Sequence, residues 1–174
     1  LGPQRFDVSI DGEPQEFNEG VTASGVTSGN TFELRVSGSS DPIKNAIDDE
    51  SSLALAIQFD KAALDALPRD QPLRIHGLTS LHPSDEGFAA GLAFEPGEGN
   101  TPAVTGVSLI RYCFCGPPNE LIEQDWEGTF ELHDLRDGRL EVRTSLTLIG
   151  RIPYANTRAD SRTTIEALVQ VDTL

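Results

Sequence analysis

Two cysteines, three histidines and 28 carboxylates are the side chains of this 174-residue chain whose chemistry goes beyond packing. Cys113 and Cys115 stand two residues apart, and on an extended strand that spacing puts both thiols on one face. A zinc-type site needs about four ligands, so two more would have to come from His76, His82, His133 or acids far away in sequence. A disulfide between Cys113 and Cys115 closes a very small ring, because an extended strand holds alternate Cα atoms near the outer limit of disulfide geometry. Gly116, Pro117 and Pro118 follow directly and can bend the strand enough to permit it. Free thiols and a bridge both fit the spacing, and Cys113 with Cys115 is the disulfide candidate.

Asp41, Asn45, Asp48, Asp49 and Glu50 concentrate oxygen ligands in one stretch, which is the chemistry a Ca²⁺ ion takes. The spacing differs from an EF-hand loop and lacks its glycine, so a solvated loop competes with a site whose ligands are Asp41, Asp48 and Asp49. No other cofactor is expected. The histidines show no His-x-x-x-His spacing, and His133 and Asp134, as strand neighbours, point to opposite faces rather than forming a catalytic pair. Ser24 to Ser28 and Ser37 to Ser40 lack the Gly-x-Ser-x-Gly elbow that exposes a nucleophile. Glu120, Glu123, Asp125 and Glu127 resemble glycosidase acids only in the sense that 28 acidic residues always place some pair at a suitable distance. No phosphate-cradling glycine motif follows a strand, and no Asn-x-Ser/Thr acceptor is present. The expectation is a chain without catalytic residues.

These residues sit in an acidic chain of formal net charge −15 and pI about 4.4, whose cations are arginines apart from Lys44 and Lys61. Such a field repels phosphate backbones and anionic membranes, so nucleic acid is not an expected partner. It also keeps a β protein soluble and discourages edge-to-edge association. No apolar run approaches the roughly 18 residues of a membrane-spanning helix. The chain starts at Leu1 and holds no Met, so a processed or truncated start is expected, and Leu1 to Pro3 are left out of the fold argument.

The elements that must position the polar residues are strands, because period-two alternation recurs between Gly, Pro, Asn and Asp. Phe6, Val8 and Ile10 lead through Asp11-Gly12 and Pro14 to a run ending at Phe17, an N-terminal hairpin. Phe32, Leu34 and Val36 form a second strand, and Leu53, Leu55, Ile57 and Phe59 a third, with Gly38 to Ser52 as a long surface loop. Asp60 caps one short helix that must stop near Pro68, placing Leu64 and Leu67 over one end. Leu73 and Ile75 open a strand and Phe88 to Phe94 another, while Val104 to Cys115, apolar on both parities, predicts a central or bulged strand.

Between Trp126 and Ile149 the pattern predicts a hairpin whose register can be chosen on physical grounds. A two-residue Asp137-Gly138 loop sets Leu132 opposite Arg143, an apolar residue against a charge. A three-residue loop, Arg136 to Gly138, sets Leu132 opposite Val142 and Phe130 opposite Thr144, with Gly138 in the left-handed conformation. The three-residue loop is the expectation. After an irregular stretch from Tyr154 to Ser161, residues Ile165, Ala167, Val169 and Val171 make a last strand. About ten strands and one helix predict a single all-β domain over residues 1–174, an antiparallel β-sandwich of immunoglobulin-like or jelly-roll-like type.

The run Phe6-Asp-Val-Ser-Ile-Asp-Gly-Glu, and Trp126-Glu-Gly-Thr-Phe-Glu-Leu leading to Asp137-Gly138 and a long alternating strand, resemble secreted bacterial β-sandwich domains of unknown function, many of them lipoproteins. The resemblance implies an extracellular or cell-envelope location and no known activity, and the chain lacks the lipid-bearing cysteine of a lipoprotein N terminus. The functional expectation is a non-enzymatic binding or structural domain, with a protein partner or self-assembly through segments such as Gln4 to Ile10 and Ile165 to Val171. The alternative is a carbohydrate-binding or carbohydrate-active protein that uses acidic residues and an exposed Trp126 or Tyr154. If Asp41, Asp48 and Asp49 hold Ca²⁺, Tm in excess Ca²⁺ exceeds Tm in chelator by several degrees; a shift of under about one degree rules the site out.

Overall fold

The computed structural model describes residues 4–15, 19–39, 52–82, 92–111 and 120–173. Asp41, Asp48, Asp49, Cys113 and Cys115 lie outside the described residues, as do Phe17 and the segment from Phe88 to Gly91. In chain order the elements are β1 (Arg5–Ile10), β2 (Glu13–Gln15), β3 (Glu19–Ser28), β4 (Thr31–Ser39), β5 (Ser52–Asp60), α1 (Lys61–Ala66) and β6 (Leu73–Leu81). They continue with β7 (Leu92–Pro96), β8 (Val104–Arg111), β9 (Ile122–Asp134), β10 (Arg139–Gly150) and β11 (Arg162–Asp172). Eleven antiparallel strands among the described residues form a seven-stranded sheet, β2-β1-β11-β10-β9-β6-β7, and a four-stranded sheet, β3-β4-β5-β8. The all-β sandwich expected from the alternation is therefore present.

Alternation translates directly into burial. In β4 the residues Phe32, Leu34 and Val36 are buried, and in β5 the residues Leu53, Leu55, Ile57 and Phe59, each followed by a half-buried or exposed neighbour. The inner faces of both sheets join one apolar cluster, in which the Phe59 ring of the small sheet meets the Phe130 ring of the large one edge-on at 5.4 Å between centroids. That geometry suits the aromatic quadrupoles. Helix α1 begins where expected, with Asp60 Oδ1 accepting from the Ala63 amide at 2.8 Å, and it buries Leu64 against the end of the core. Leu67, expected to share that role, is half-buried.

The turns follow their residues. Asp11 and Gly12 have φ of 50° and 83° and link β1 to β2 as a two-residue loop, with Ile10 opposite Glu13. The β9–β10 hairpin has the expected register, Leu132 opposite Val142 and Phe130 opposite Thr144, and the Leu135 amide donates to the Arg139 carbonyl across the three-residue loop. Asp137 shares the left-handed conformation with Gly138, at φ of 67° and 71°. Two boundaries differ from expectation. Gly38, Ser39 and Ser52 belong to paired strands rather than to the loop, with Gly38 opposite Leu53 and Ser39 opposite Ser52. Strand β8 does carry a bulge, since Gln58 faces Gly106 while Phe59 faces Val104, but it lies at the edge of the small sheet rather than at its centre.

Close approach of β9 and β10 rests on Gly128, which faces Leu146. A Cβ there would stand 2.1 Å from the Ser145 carbonyl oxygen and 2.8 Å from the Leu146 Cα, both main-chain atoms that cannot rotate away. Gly128→Ala is expected to destabilise the fold by about 3 kcal/mol, the upper end of overpacking costs. Urea denaturation checks this, and an unchanged midpoint would show that the two strands separate at little cost.

Candidate functional site

Among the described residues, those expected to do chemistry are spread over several strands, and some of them are held in ion pairs. Trp126, offered as an exposed stacking platform, is wholly buried beneath the large sheet, because its strand position points inward between Gln124 and Gly128 on β9. Its indole N–H meets no hydrogen-bond partner among the described residues. Tyr154 is half-buried in the β10–β11 connection, with burial raising its hydroxyl pKa. Glu127 receives a bidentate grip from Arg74, at 2.9 and 2.8 Å, which holds its carboxyl below the ordinary value and the guanidinium above its own. Glu120 pairs with Arg151 at 3.1 Å, and Glu123 and Asp125 lie exposed on the same outer face of β9.

His133 and Asp134 point apart, as strand geometry requires. The His133 Nδ1 lies 2.5 Å from Asp70 Oδ1, whereas Asp134 accepts from Arg69 Nε at 3.0 Å. His76 contacts the Glu98 carbonyl at 3.0 Å, and His82 follows the end of β6. His76 Nε2 also lies 3.8 Å from Glu127 Oε2, but the three histidines do not come together, and among the described residues no group of three metal-ligating side chains does.

Among the described residues, two open depressions lie on the outer faces. One of about 380 Å³ crosses the large sheet beside Ser145, whose hydroxyl donates to Glu166 at 2.6 Å. The other, about 490 Å³, crosses the small sheet over Ser24, Val26, Glu33, Arg35 and Gln58. Its charged lining is self-paired, Arg35 with Glu33 at 2.8 Å and Gln58 with Glu33 at 3.1 Å.

The most distinctive chemistry is main-chain chemistry at the sheet edges, where each strand presents unpaired N–H and C=O groups. Strand β8 has its edge closed from the opposite sheet. The side-chain amide of Gln124 accepts from the Leu109 amide at 3.2 Å and donates to the Leu109 carbonyl at 2.8 Å, reproducing the pattern of a neighbouring strand, and donates again to Arg151 O at 3.1 Å. The Thr79 hydroxyl donates to the Val107 carbonyl. Gln124 and Thr79 are both wholly buried. At the two ends of the large sheet, β2 covers three described residues and contains Pro14 and Glu13, and β7 covers five and ends in Glu95-Pro96. Short length, charge and proline are the usual ways of blunting an edge.

Strand β3 is longer and without proline, and its one charged residue, Glu19, and its one register shift, between Glu19 and Thr22, lie at its start. It spans ten residues, Glu19–Ser28, and from Gly20 to Phe32 the sequence contains no ionisable side chain and no proline. The register identifies which of its groups face outward. Because Leu109 turns its main-chain groups away from β5, Ser108 bonds to Ala56, Leu55 and Ile57 turn to β4, and Glu33 and Arg35 turn to β3. Val26 and Ser24 then bond to β4, leaving the N–H and C=O groups of Ala23, Gly25 and Thr27 outward, where they meet no partner among the described residues. Val26, 56% exposed, stands on the outer face beside them. The segments expected to pair with neighbours are placed differently. Ile165 to Val171 lies in β11, between β1 and β10, and β1 lies between β2 and β11, so β11 is bonded on both sides.

Sequence reasoning missed the β3 edge because Gly20 to Asn30 offers only weak alternation, and it missed Gln124 because nothing local marks an inward polar residue as a bridge. Compared with family models, curated proteins and solved structures, the chain matches none of them. Gln124→Leu strands the buried Leu109 N–H and C=O groups and is expected to cost about 3 kcal/mol, against about 1 kcal/mol for Thr79→Val. Denaturant midpoints at unchanged m-value check the order; equal losses would show that the amide bridge does not close β8.

Proposed function

We propose that the chain is a non-enzymatic extracellular or cell-envelope binding and structural domain, a subunit of a surface assembly that joins its partner by strand addition at β3. The observation carrying this reading is the contrast among the edges: β8 is capped by Gln124 and Thr79, the described parts of β2 and β7 are short and proline-bearing, and β3 is long, free of proline and of ionisable side chains from Gly20 onward, and open among the described residues. Strand addition draws affinity from main-chain hydrogen bonds and asks little of side chains, which fits the Gly, Ala, Ser, Thr and Val composition of β3. The self-paired polar groups on both outer faces agree with a scaffold rather than a catalyst. Sugar stacking loses Trp126 as its platform, since that ring lies in the core.

Thr27→Pro removes one outward N–H at an edge position where proline is tolerated. Sedimentation of the wild type from micromolar to millimolar concentration is expected to show assembly that Thr27→Pro abolishes, with circular dichroism and melting unchanged. A wild-type chain that stays monomeric throughout and co-purifies with no partner would overturn the proposal.

A further inference from the structure

Building on the reading of β3 as a strand-accepting edge, we infer that its partner is the β3 edge of a second copy of this chain, paired antiparallel about a two-fold axis through Gly25. Charge selects the partner. The chain carries a net charge of −15, yet residues 20 to 32 carry no ionisable group. A basic partner would be steered to the carboxylates elsewhere on the surface, whereas two equally acidic chains meet with least repulsion at a neutral edge.

Hydrogen-bond parity selects the register. Antiparallel pairing requires outward-facing residues to stand opposite one another, and the outward residues here are Ala23, Gly25 and Thr27. Centred on Gly25, the pairing sets Gly25 against its own copy and Ala23 against Thr27 in both directions, so all three positions exchange main-chain hydrogen bonds. Between them, Ser24 faces Val26 and Thr22 faces Ser28, and the two Val26 side chains become diagonal neighbours on the outer face. The pairing covers part of an apolar side chain that is 56% exposed in the single chain. Gly25 also has an internal duty: a Cβ there would meet the Phe32 ring at 2.6 Å and the Asp172 carbonyl at 2.7 Å. The absence of a side chain at the axis of the pair is thus fixed by the core.

The resulting contact joins two four-stranded sheets into one of eight strands. Its outer strands are the two copies of β8, already capped by Gln124 and Thr79, so this contact closes on a pair and does not propagate as a filament.

The test is amide exchange by NMR on the full chain at rising concentration. Exchange at Ala23, Gly25 and Thr27 is expected to slow about tenfold once about nine-tenths of the chains are paired, with Ser24 and Val26, already bonded to β4, unchanged. In a mixture of labelled and unlabelled chains, the Hα protons of Ser24 and Val26 give an intermolecular contact, the mark of a non-hydrogen-bonded antiparallel pair. Protection without that contact would overturn the two-fold register while leaving β3 as the accepting edge. Assembly with the three amides still exchanging freely would overturn both readings. A chain that stays monomeric at millimolar concentration would overturn self-pairing, and the strand-accepting reading would then stand or fall on protection of the same amides by a co-purifying partner.

Discussion

A strand turns half of its main-chain polar groups sideways, and a buried group left without a partner costs roughly 1–3 kcal/mol. The architecture follows from where those sideways groups are satisfied. Within each sheet the neighbouring strand supplies them, so the edges are where the constraint binds. Gln124 meets it with an amide that takes the place of a peptide group against Leu109, and Thr79 with a hydroxyl on Val107. Both reach across from the large sheet, so the same bonds that close the edge of β8 also hold the two layers together. Asn100 does similar work in the β7–β8 connection, accepting from the His76 amide and donating to the Thr101 and Val104 carbonyls.

Electrostatics plays a different part. Among the described residues seven arginines, Arg5, Arg35, Arg69, Arg74, Arg143, Arg151 and Arg158, each stand against a carboxylate on the surface. Exposed pairs of this kind contribute little stability individually. Their effect is to orient the acids, as in the two-pronged grip of Arg74 on Glu127, which the planar guanidinium makes better than lysine would.

Local structure was legible in the residues, and long-range structure was not. The Asp60 cap, the Asp11-Gly12 turn and the Leu132–Val142 register each depend on neighbours within a few residues or on one hairpin, where a wrong choice puts a charge against an apolar side chain. The place of β8 at an edge, the interior place of β11 and the burial of Trp126 depend on strands brought together from distant parts of the chain, and alternation does not encode strand order. For the same reason the acids and histidines were readable as types but not as partners: His133 meets Asp70, 63 positions away, and not its neighbour. The aspartates and cysteines singled out for Ca²⁺ and for a disulfide fall outside the described residues, while the β3 edge was hidden in a stretch of small residues that stands out only beside the capped or proline-bearing edges of the other strands.

Asp11, in the first turn, accepts from the Ser161 hydroxyl at 3.0 Å and from the Arg162 amide at 2.9 Å, across 150 and 151 positions of sequence, and these bonds lower its pKa. Beside it, β1 pairs along its length with β11. On a ribosome, or on a chain threading through a translocation pore, the opening hairpin therefore emerges long before the strand that completes it. The strands between them can pair while the β1–β2 hairpin waits, and β11 then fills the gap between β1 and β10. Without β11 the large sheet is divided in two, so the β1–β2 hairpin joins β10 and the strands beyond it only once β11 has been made.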